Sequence, residues 1–313
     1  MRDVLRRLIA GELTEDEALA ELRTQQLDEL GGRARLDLGR YLRRGIPEVV
    51  LATGKAPADA ARLVVAMAER QGQGLISRMT AAHEAALRDS ATAAGMEVVA
   101  YSASARLLRR DFVPVANEGK VGILTAGTSD LAAAEEARML VDACGLKSRL
   151  DADLGVAGLH RFVGPLAAAL EWGADVIIVA AGMDGVLPGL VAGLIDVPVI
   201  GLPVSNGYGR GGAGEGALTT MLQSCSTGLV VVNIDNGVGA GAAAVLIAQR
   251  RRRGRSQAAI ANTNAPTTSR PKEIGKTARD MSGPATRPKE RAATRTPTQT
   301  HTSSHGKPRR RRP

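Results

Sequence analysis

The sequence predicts an α/β protein: a small N-terminal α/β domain, then a doubly wound, mostly parallel-sheet domain, then a disordered C-terminal tail. Three observations predict it. Apolar runs at 176–180 (VIIVA), 198–202 (PVIGL) and 228–234 (GLVVVNI) have the continuous character of strands buried on both faces. Helix-period stretches alternate with strand-like ones from residue 120 to 249, as βα units do. After Gln249 the chain holds 7 of its 14 prolines and no aromatic residue, too little apolar area to offset the entropy of ordering.

The elements can be justified in order. Thr14 and Glu17 have capping-box spacing, and Ala18, Leu19 and Leu22 recur on one helical face. A second helix is expected to end near Gly31-Gly32. The β-branched run 48–52 (EVVLA) reads as a strand, and Pro57 opens an alanine-rich helix to Ala68. Strand 74–77, helix 81–94 and strand 96–101 complete a first domain over 1–115. The second domain, 116–249, begins with strand 120–124, a Gly-Thr-Ser turn and helix 131–144. Strand 147–154, helix 164–172 and a helix at 217–225 follow among the buried strands. Residues 250–313 form the tail.

Charge separates these parts. The chain carries 41 Lys+Arg against 32 Asp+Glu, but 18 of the bases and only 3 of the acids lie after Gln249, so the tail is basic and the body acidic. The high isoelectric point therefore says nothing of nucleic-acid binding by the body, while the tail suits a nucleic acid or an acidic partner. Phe112, Phe162, Trp172, Tyr41, Tyr101 and Tyr208 are the only aromatics, which argues against single-strand binding by stacking. No apolar run approaches the roughly 20 residues of a membrane-spanning helix, and no export signal is visible. Two cysteines make no disulfide framework, so a reducing compartment, the cytoplasm, is expected.

In doubly wound sheets ligands lie beyond the carboxyl ends of the strands. Four loops fall there: 127–130, 181–185, 203–216 and 233–237. Thr128, Ser129 and Asp130 offer hydroxyls and free amides to a phosphate, or cap the following helix. The third loop places Gly207, Gly209, Gly211, Gly212, Gly214 and Gly216 around Tyr208, suiting either close backbone approach to a ligand or a flexible loop. Cys225 is a reachable thiol or a small buried residue. His160 is a general acid or a surface loop histidine, and Asp184, flanked by glycines, is a proton handler or a turn former. The dinucleotide fingerprint and the Walker spacing are both lacking.

Taken together, 36–49 (LDLGRYLRRGIPEV), 122–130 (GILTAGTSD), 155–161 (GVAGLHR), 181–193 (AGMDGVLPGLVAG), Gly207-Tyr208-Gly209, Ser224-Cys225 and 232–237 (VNIDNG) resemble the LarB family. These are carboxylase/hydrolases of nickel-pincer nucleotide cofactor synthesis, and their C-terminal domain is similar to aminoimidazole ribonucleotide carboxylase. The resemblance implies carboxylation of ring carbon 5 of nicotinic acid adenine dinucleotide by CO2 or bicarbonate, with hydrolysis of the phosphoanhydride to release AMP. It implies Cys225 as the nucleophile and Asp184 as the base, where LarB-like proteins commonly have Glu. It implies Thr128, Ser129, Asp130, Arg161, Gly182, Met183, Gly207, Tyr208 and Gly209 around the substrate, with His160 and Arg161 holding carboxylate or phosphate. No tightly bound cofactor and no protein-only metal site are expected, only a Mg²⁺ held mainly by phosphates. Related carboxylase domains assemble, so a homo-oligomer is expected. The rival functions are aminoimidazole ribonucleotide carboxylase or mutase activity, and nucleotide binding without catalysis.

Overall fold

The computed structural model describes residues 2–24, 27–30, 34–37 and 39–263. The chain opens with α1 (Arg2–Ile9) and α2 (Glu15–Thr24). Glu17 accepts from the Thr14 amide and hydroxyl, both at 2.8 Å, and Thr14 Oγ1 accepts from the Glu17 amide, so the expected capping box starts α2. The helix expected up to Gly31-Gly32 is replaced by a hairpin, β1 (Leu27–Leu30) paired antiparallel with β2 (Ala34–Asp37). β2 alternates apolar and charged residues (ARLD), a two-residue period, whereas β1 (LDEL) does not, so its leucines three apart also suit a helix.

After α3 (Arg40–Arg44) come β3 (Val50–Leu51), α4 (Pro57–Gln71), β4 (Gln73–Ser77), α5 (Ala81–Ala93), β5 (Glu97–Tyr101) and β6 (Ser104–Leu108). They form a mixed sheet of order β3-β4-β6-β5, parallel only between β3 and β4. The strand expected at 48–52 is cut to two residues. β6, absent from the sequence reading, occupies an inner position. Its Arg106 is buried yet donates to Gln73 Oε1 at 3.0 Å, and Gln73 in turn donates to the Ala143 carbonyl at 2.9 Å. A charged residue inside a strand is admissible here because partners are supplied.

The second half runs β7 (Lys120–Thr125), α6 (Leu131–Ala143), β8 (Lys147–Asp151), α7 (His160–Glu171), β9 (Val176–Ala181), α8 (Leu187–Leu194), β10 (Val199–Pro203), α9 (Glu215–Leu222), β11 (Leu229–Val231) and α10 (Gly237–Thr263). The sheet is parallel throughout, in the order β11-β10-β9-β7-β8, with β9 and β10 fully buried. Helices α7 and α8 cover one face through Phe162, Leu166, Leu187 and Val191. On the other face α6 and α10 share a core with Leu75 and Tyr101 of the first sheet, so α6 lies between the two sheets. α7 starts four residues earlier than expected, which puts His160 and Arg161 in its first turn and not in a loop. α10 runs through the boundary expected at Gln249, because the arginine-rich stretch after it is made of good helix formers. The rest of the expected tail, 264–313, lies outside the described residues. Among the described residues no helix is long and apolar enough to cross a membrane.

Candidate nucleotide site

The strand order reverses direction of growth between β7 and β9, and this switch point is where a doubly wound sheet opens a crevice. The turn after β7 carries Thr128 and Ser129 exposed and Asp130 buried. Asp130 Oδ2 accepts from the Gly127 amide at 2.8 Å, folding the turn back so that its hydroxyls face outward. Burial pushes the Asp130 carboxyl above the ordinary carboxylate value. The amides of Gly127 and Gly182 and the Asn206 side chain oppose this, and the Asp235 charge adds to it. Its Oδ1 makes no hydrogen bond of good geometry, although Gly182 and Asn206 lie close.

The loop after β9 meets this turn. Gly182 is buried, while Met183 and Asp184 are exposed. Asp184 adopts the left-handed region at φ 59°, and its Oδ1 accepts from the Val186 amide at 3.2 Å, an Asx-type turn. Gly185, at φ 68°, lies against α9 so closely that a Cβ would be 2.6 Å from the Ala217 carbonyl oxygen. The third loop follows β10. Asn206 Nδ2 donates to the Ser129 carbonyl, and a Cβ on Gly207 would be 3.9 Å from Met183 Cα, which draws three loops together. Tyr208 is exposed, and Gly209 at φ 72° begins a short turn in which Gly211 packs on Gly216.

Arg161 reaches the same end of the sheet from α7. It donates to the Gly155 carbonyl and to Asp153 Oδ1, both at 3.2 Å, and Gly155 packs against the Ala126 carbonyl just beyond β7. His160 is exposed beside it.

Cys225 stands elsewhere in the protomer. It is not at a helix end as expected, since α9 stops at Leu222 and the thiol sits in the loop leading to β11. That loop lies along α8: Ser226 Oγ donates to the Gly189 carbonyl at 2.7 Å, and Gly189 and Gly193 leave room for Ser224 and Ser226. Gly228, three residues on, pairs at the amino end of β10, accepting from the Val199 amide. With α9 about 12 Å long, the chain is carried from the carboxyl end of β10 back toward the amino ends of the strands, where the thiol lies. Cys225 is exposed, whereas Cys144 is buried and its thiol is pushed up to about 12 by desolvation.

The sequence reading missed four residues near the switch point. Arg78, at the end of β4, donates to the Asp235 carbonyl at 2.7 Å, and Asp235 Oδ1 accepts from the Ser205 amide at 2.9 Å. Buried Glu136 of α6 accepts from Ser77 Oγ and, at 3.2 Å, from the Val238 amide, with Arg78 Nε 3.7 Å away. Asn206 is the fourth. The motif 232–237 contained Asp235, and Asn206 adjoins the glycine loop, but nothing in the sequence marks Arg78 or Glu136. Among the described residues no three His, Cys, Asp or Glu side chains are grouped to cage a metal.

Comparison with known proteins follows the same division of the chain. A LarB/PurE-like N-terminal domain profile matches residues 27–111, and an AIR carboxylase profile matches residues 120–266. An uncharacterized protein of Methanocaldococcus jannaschii is 36% identical over 241 residues, covering 76% of this chain and 92% of that one. The chain belongs to the LarB family. The chain is also 35% identical over 91 residues to the N5-carboxyaminoimidazole ribonucleotide mutase of Pyrococcus abyssi, 28% of this chain and half of that enzyme. A crystal structure of a Treponema denticola PurE2 variant aligns over 49% of the LarB-family chain and all of its own, at 18% identity and a TM-score of 0.34.

Proposed function

We propose that this LarB-family protein is a pyridinium-3,5-biscarboxylic acid mononucleotide synthase. It carboxylates ring carbon 5 of nicotinic acid adenine dinucleotide and hydrolyses the phosphoanhydride to release AMP. The observation that carries the reading is an exposed thiol at Cys225, in the position the family motif gives its nucleophile, whereas the other cysteine, Cys144, is buried and its thiol pushed up to about 12.

A pyridinium ring is electron-poor and does not attack carbon dioxide. The Cys225 thiolate adds at ring carbon 6, giving a dihydropyridine whose carbon 5 is an enamine carbon. Carbon 5 attacks CO2 and becomes tetrahedral. Asp184 removes its proton, the electron pair restores the ring, and the carbon–sulfur bond breaks to return the thiolate. Water then cleaves the anhydride, leaving one phosphate on each nucleoside. Ser129 and Asp130 hold the ribose phosphate, with His160 and Arg161 on a carboxylate or phosphate, where a guanidinium suits bidentate contact. A Mg²⁺ bound mainly by the phosphates would neutralise charge on the leaving AMP.

The separation of Cys225 from the switch point within one protomer makes assembly part of the reading. Leu190, Leu194 and Leu222 are exposed on the elements beside the Cys225 loop, and burying them between copies brings one copy's thiol to a ring held by another. Mutase activity on an aminoimidazole ribonucleotide is the second reading, favoured by the AIR carboxylase match over residues 120–266 and by the similarity to the Pyrococcus enzyme. Products formed from each nucleotide with ¹³C-bicarbonate, resolved by mass, decide between them. A labelled biscarboxylated pyridinium mononucleotide plus AMP supports the synthase; a carboxylated aminoimidazole ribonucleotide supports the rival.

A further inference from the structure

A cavity of about 410 Å³ lies at the far end of α6 from the switch point, and neither the carboxylation nor the hydrolysis uses it. Asp130 precedes the first residue of α6 and Ala143 is its last, so the 13 residues of the helix set the two places about 20 Å apart. The buried end of the cavity is Ala143 and Cys144 with Gln73 of β4, while Tyr41 of α3 brings a ring and Arg70, near the end of α4, stands exposed at the mouth. The remaining wall belongs to the segment 109–119 that joins β6 to β7, through Phe112, Pro114 and Val115. That segment is held at both ends. The Arg109 amide donates to the Gly72 carbonyl at 3.0 Å, Arg109 Nη1 to the Glu69 carbonyl at 2.7 Å, and the Asn117 amide to the Gly145 carbonyl at 2.8 Å. Gly72 at φ 85° and Gly145 at φ 73° receive it so closely that a Cβ would stand 2.0 Å from the Phe112 ring and from the Val115 carbonyl oxygen, respectively.

We propose that this cavity binds a small aromatic monocarboxylate, with its ring inward and its carboxylate at Arg70. Tyr41 and Phe112 are two of only six aromatic residues in the chain, and both line this one cavity beside Pro47, Pro114 and Val115. Rings gain from offset or edge contacts with other rings, and ligand clefts run from about 300 to 1,000 Å³, so the space suits one small ring system. Among the described lining residues Arg70 is the one charged group, and no carboxylate lines the cavity. Arg70 Nη1 donates to the Ala66 carbonyl at 3.2 Å, and a guanidinium serves several acceptors at once, a carboxylate among them. Burial keeps the Cys144 thiol protonated and raises the Tyr41 hydroxyl above its ordinary value, so neither opposes an anion at neutral pH. An occupant touches α4, α6 and the joining segment together. It thereby reinforces the docking of the first sheet on α6, where Gln73 already bonds to the Ala143 carbonyl.

The site is independent of the proposed reaction, and its test needs no turnover. The full chain is titrated calorimetrically with 1-naphthoate and with 1-naphthylmethylammonium, which carries the same rings on the opposite charge. Wild type, Val115→Trp and Arg70→Gln are compared. Val115 and Arg70 are exposed, so both variants should fold, and an indole at 115 fills the mouth. Wild type should bind one naphthoate per chain, at least fivefold more tightly than the ammonium, and its thermal midpoint should rise with naphthoate concentration. Val115→Trp should bind naphthoate at least tenfold more weakly and Arg70→Gln at least threefold more weakly. Saturating nicotinic acid adenine dinucleotide should leave naphthoate binding within twofold of its value alone. No naphthoate binding by wild type, equal binding by wild type and Val115→Trp, equal binding of the two probes, or displacement by the dinucleotide overturns the assignment. The expected titrations from a protein that forms no carboxylated product would retain this site and remove the proposed reaction.

Discussion

Gly182 faces Asp130 across the switch point so closely that a Cβ on Gly182 would stand 3.1 Å from Asp130 Oδ1. A methyl there must push either the carboxylate or the Ser129 turn by a few tenths of an ångström. Gly182→Ala should therefore fold, because its φ suits any residue, yet lose activity on the order of tenfold or more, since small misplacements at a reacting centre are costly. Circular dichroism and steady-state rates on the same preparation check both halves of the expectation.

Asp184 makes a turn with one carboxylate oxygen and presents the other to solvent. Asn keeps the acceptor for the Val186 amide but cannot remove a proton, so Asp184→Asn should retain thermal stability and lose about 10²–10⁴-fold in rate, the usual span of general-base catalysis. Mixed with Cys225→Ala protein under conditions that exchange subunits, it should regain activity, because each mixed pair then holds one intact thiol facing one intact base. Absence of recovery would place thiol and base in the same protomer.

The two cysteines should separate by reagent. At pH 8 iodoacetamide should modify exposed Cys225 and spare Cys144, with both modified in denaturant; peptide masses read the result. The folded-state pKa of Cys144 is raised from 9.0 to about 12, so the fold retains a proton the unfolded chain releases. Its contribution to stability is complete below pH 9 and declines as pH climbs toward 12, which chemical unfolding of wild type and Cys144→Ala at pH 8 and 10.5 should show as a smaller decline in the variant.

Much of the fold was legible because burial leaves a plain mark on composition. β9 and β10 are apolar without interruption since both faces are covered, and the Thr14–Glu17 box announced α2. The misreadings have physical causes. β6 holds Arg106, a charge that the Gln73 side-chain oxygen and Tyr101 help render acceptable inside, and one sequence cannot show those partners. α8, for which the sequence supported no separate expectation, contains Gly189 and Gly193 where the loop of Ser224 and Ser226 packs on it, so its helical signal is diluted by the contact it makes. At the site, the loops after β7, β9 and β10 were found by their place in the βα alternation. Arg78 and Glu136 were not, since their role arises from docking one sheet on another.

Glu136 is the buried joint of that docking, and its loss strands the Ser77 hydroxyl and the Val238 amide. Glu136→Ala should lower unfolding free energy by about 1–3 kcal/mol for each group left without a partner. Glu136→Gln, which keeps an acceptor, should cost less; urea denaturation midpoints order the three proteins.

The most direct test of the central claim is intact-protein mass spectrometry after incubation with nicotinic acid adenine dinucleotide and acid quench. Wild type should carry an added mass equal to nicotinic acid adenine dinucleotide, with or without one CO2, mapped to the peptide containing Cys225, and Cys225→Ala should carry none and form no carboxylated product. Equal turnover by the two proteins would contradict the account.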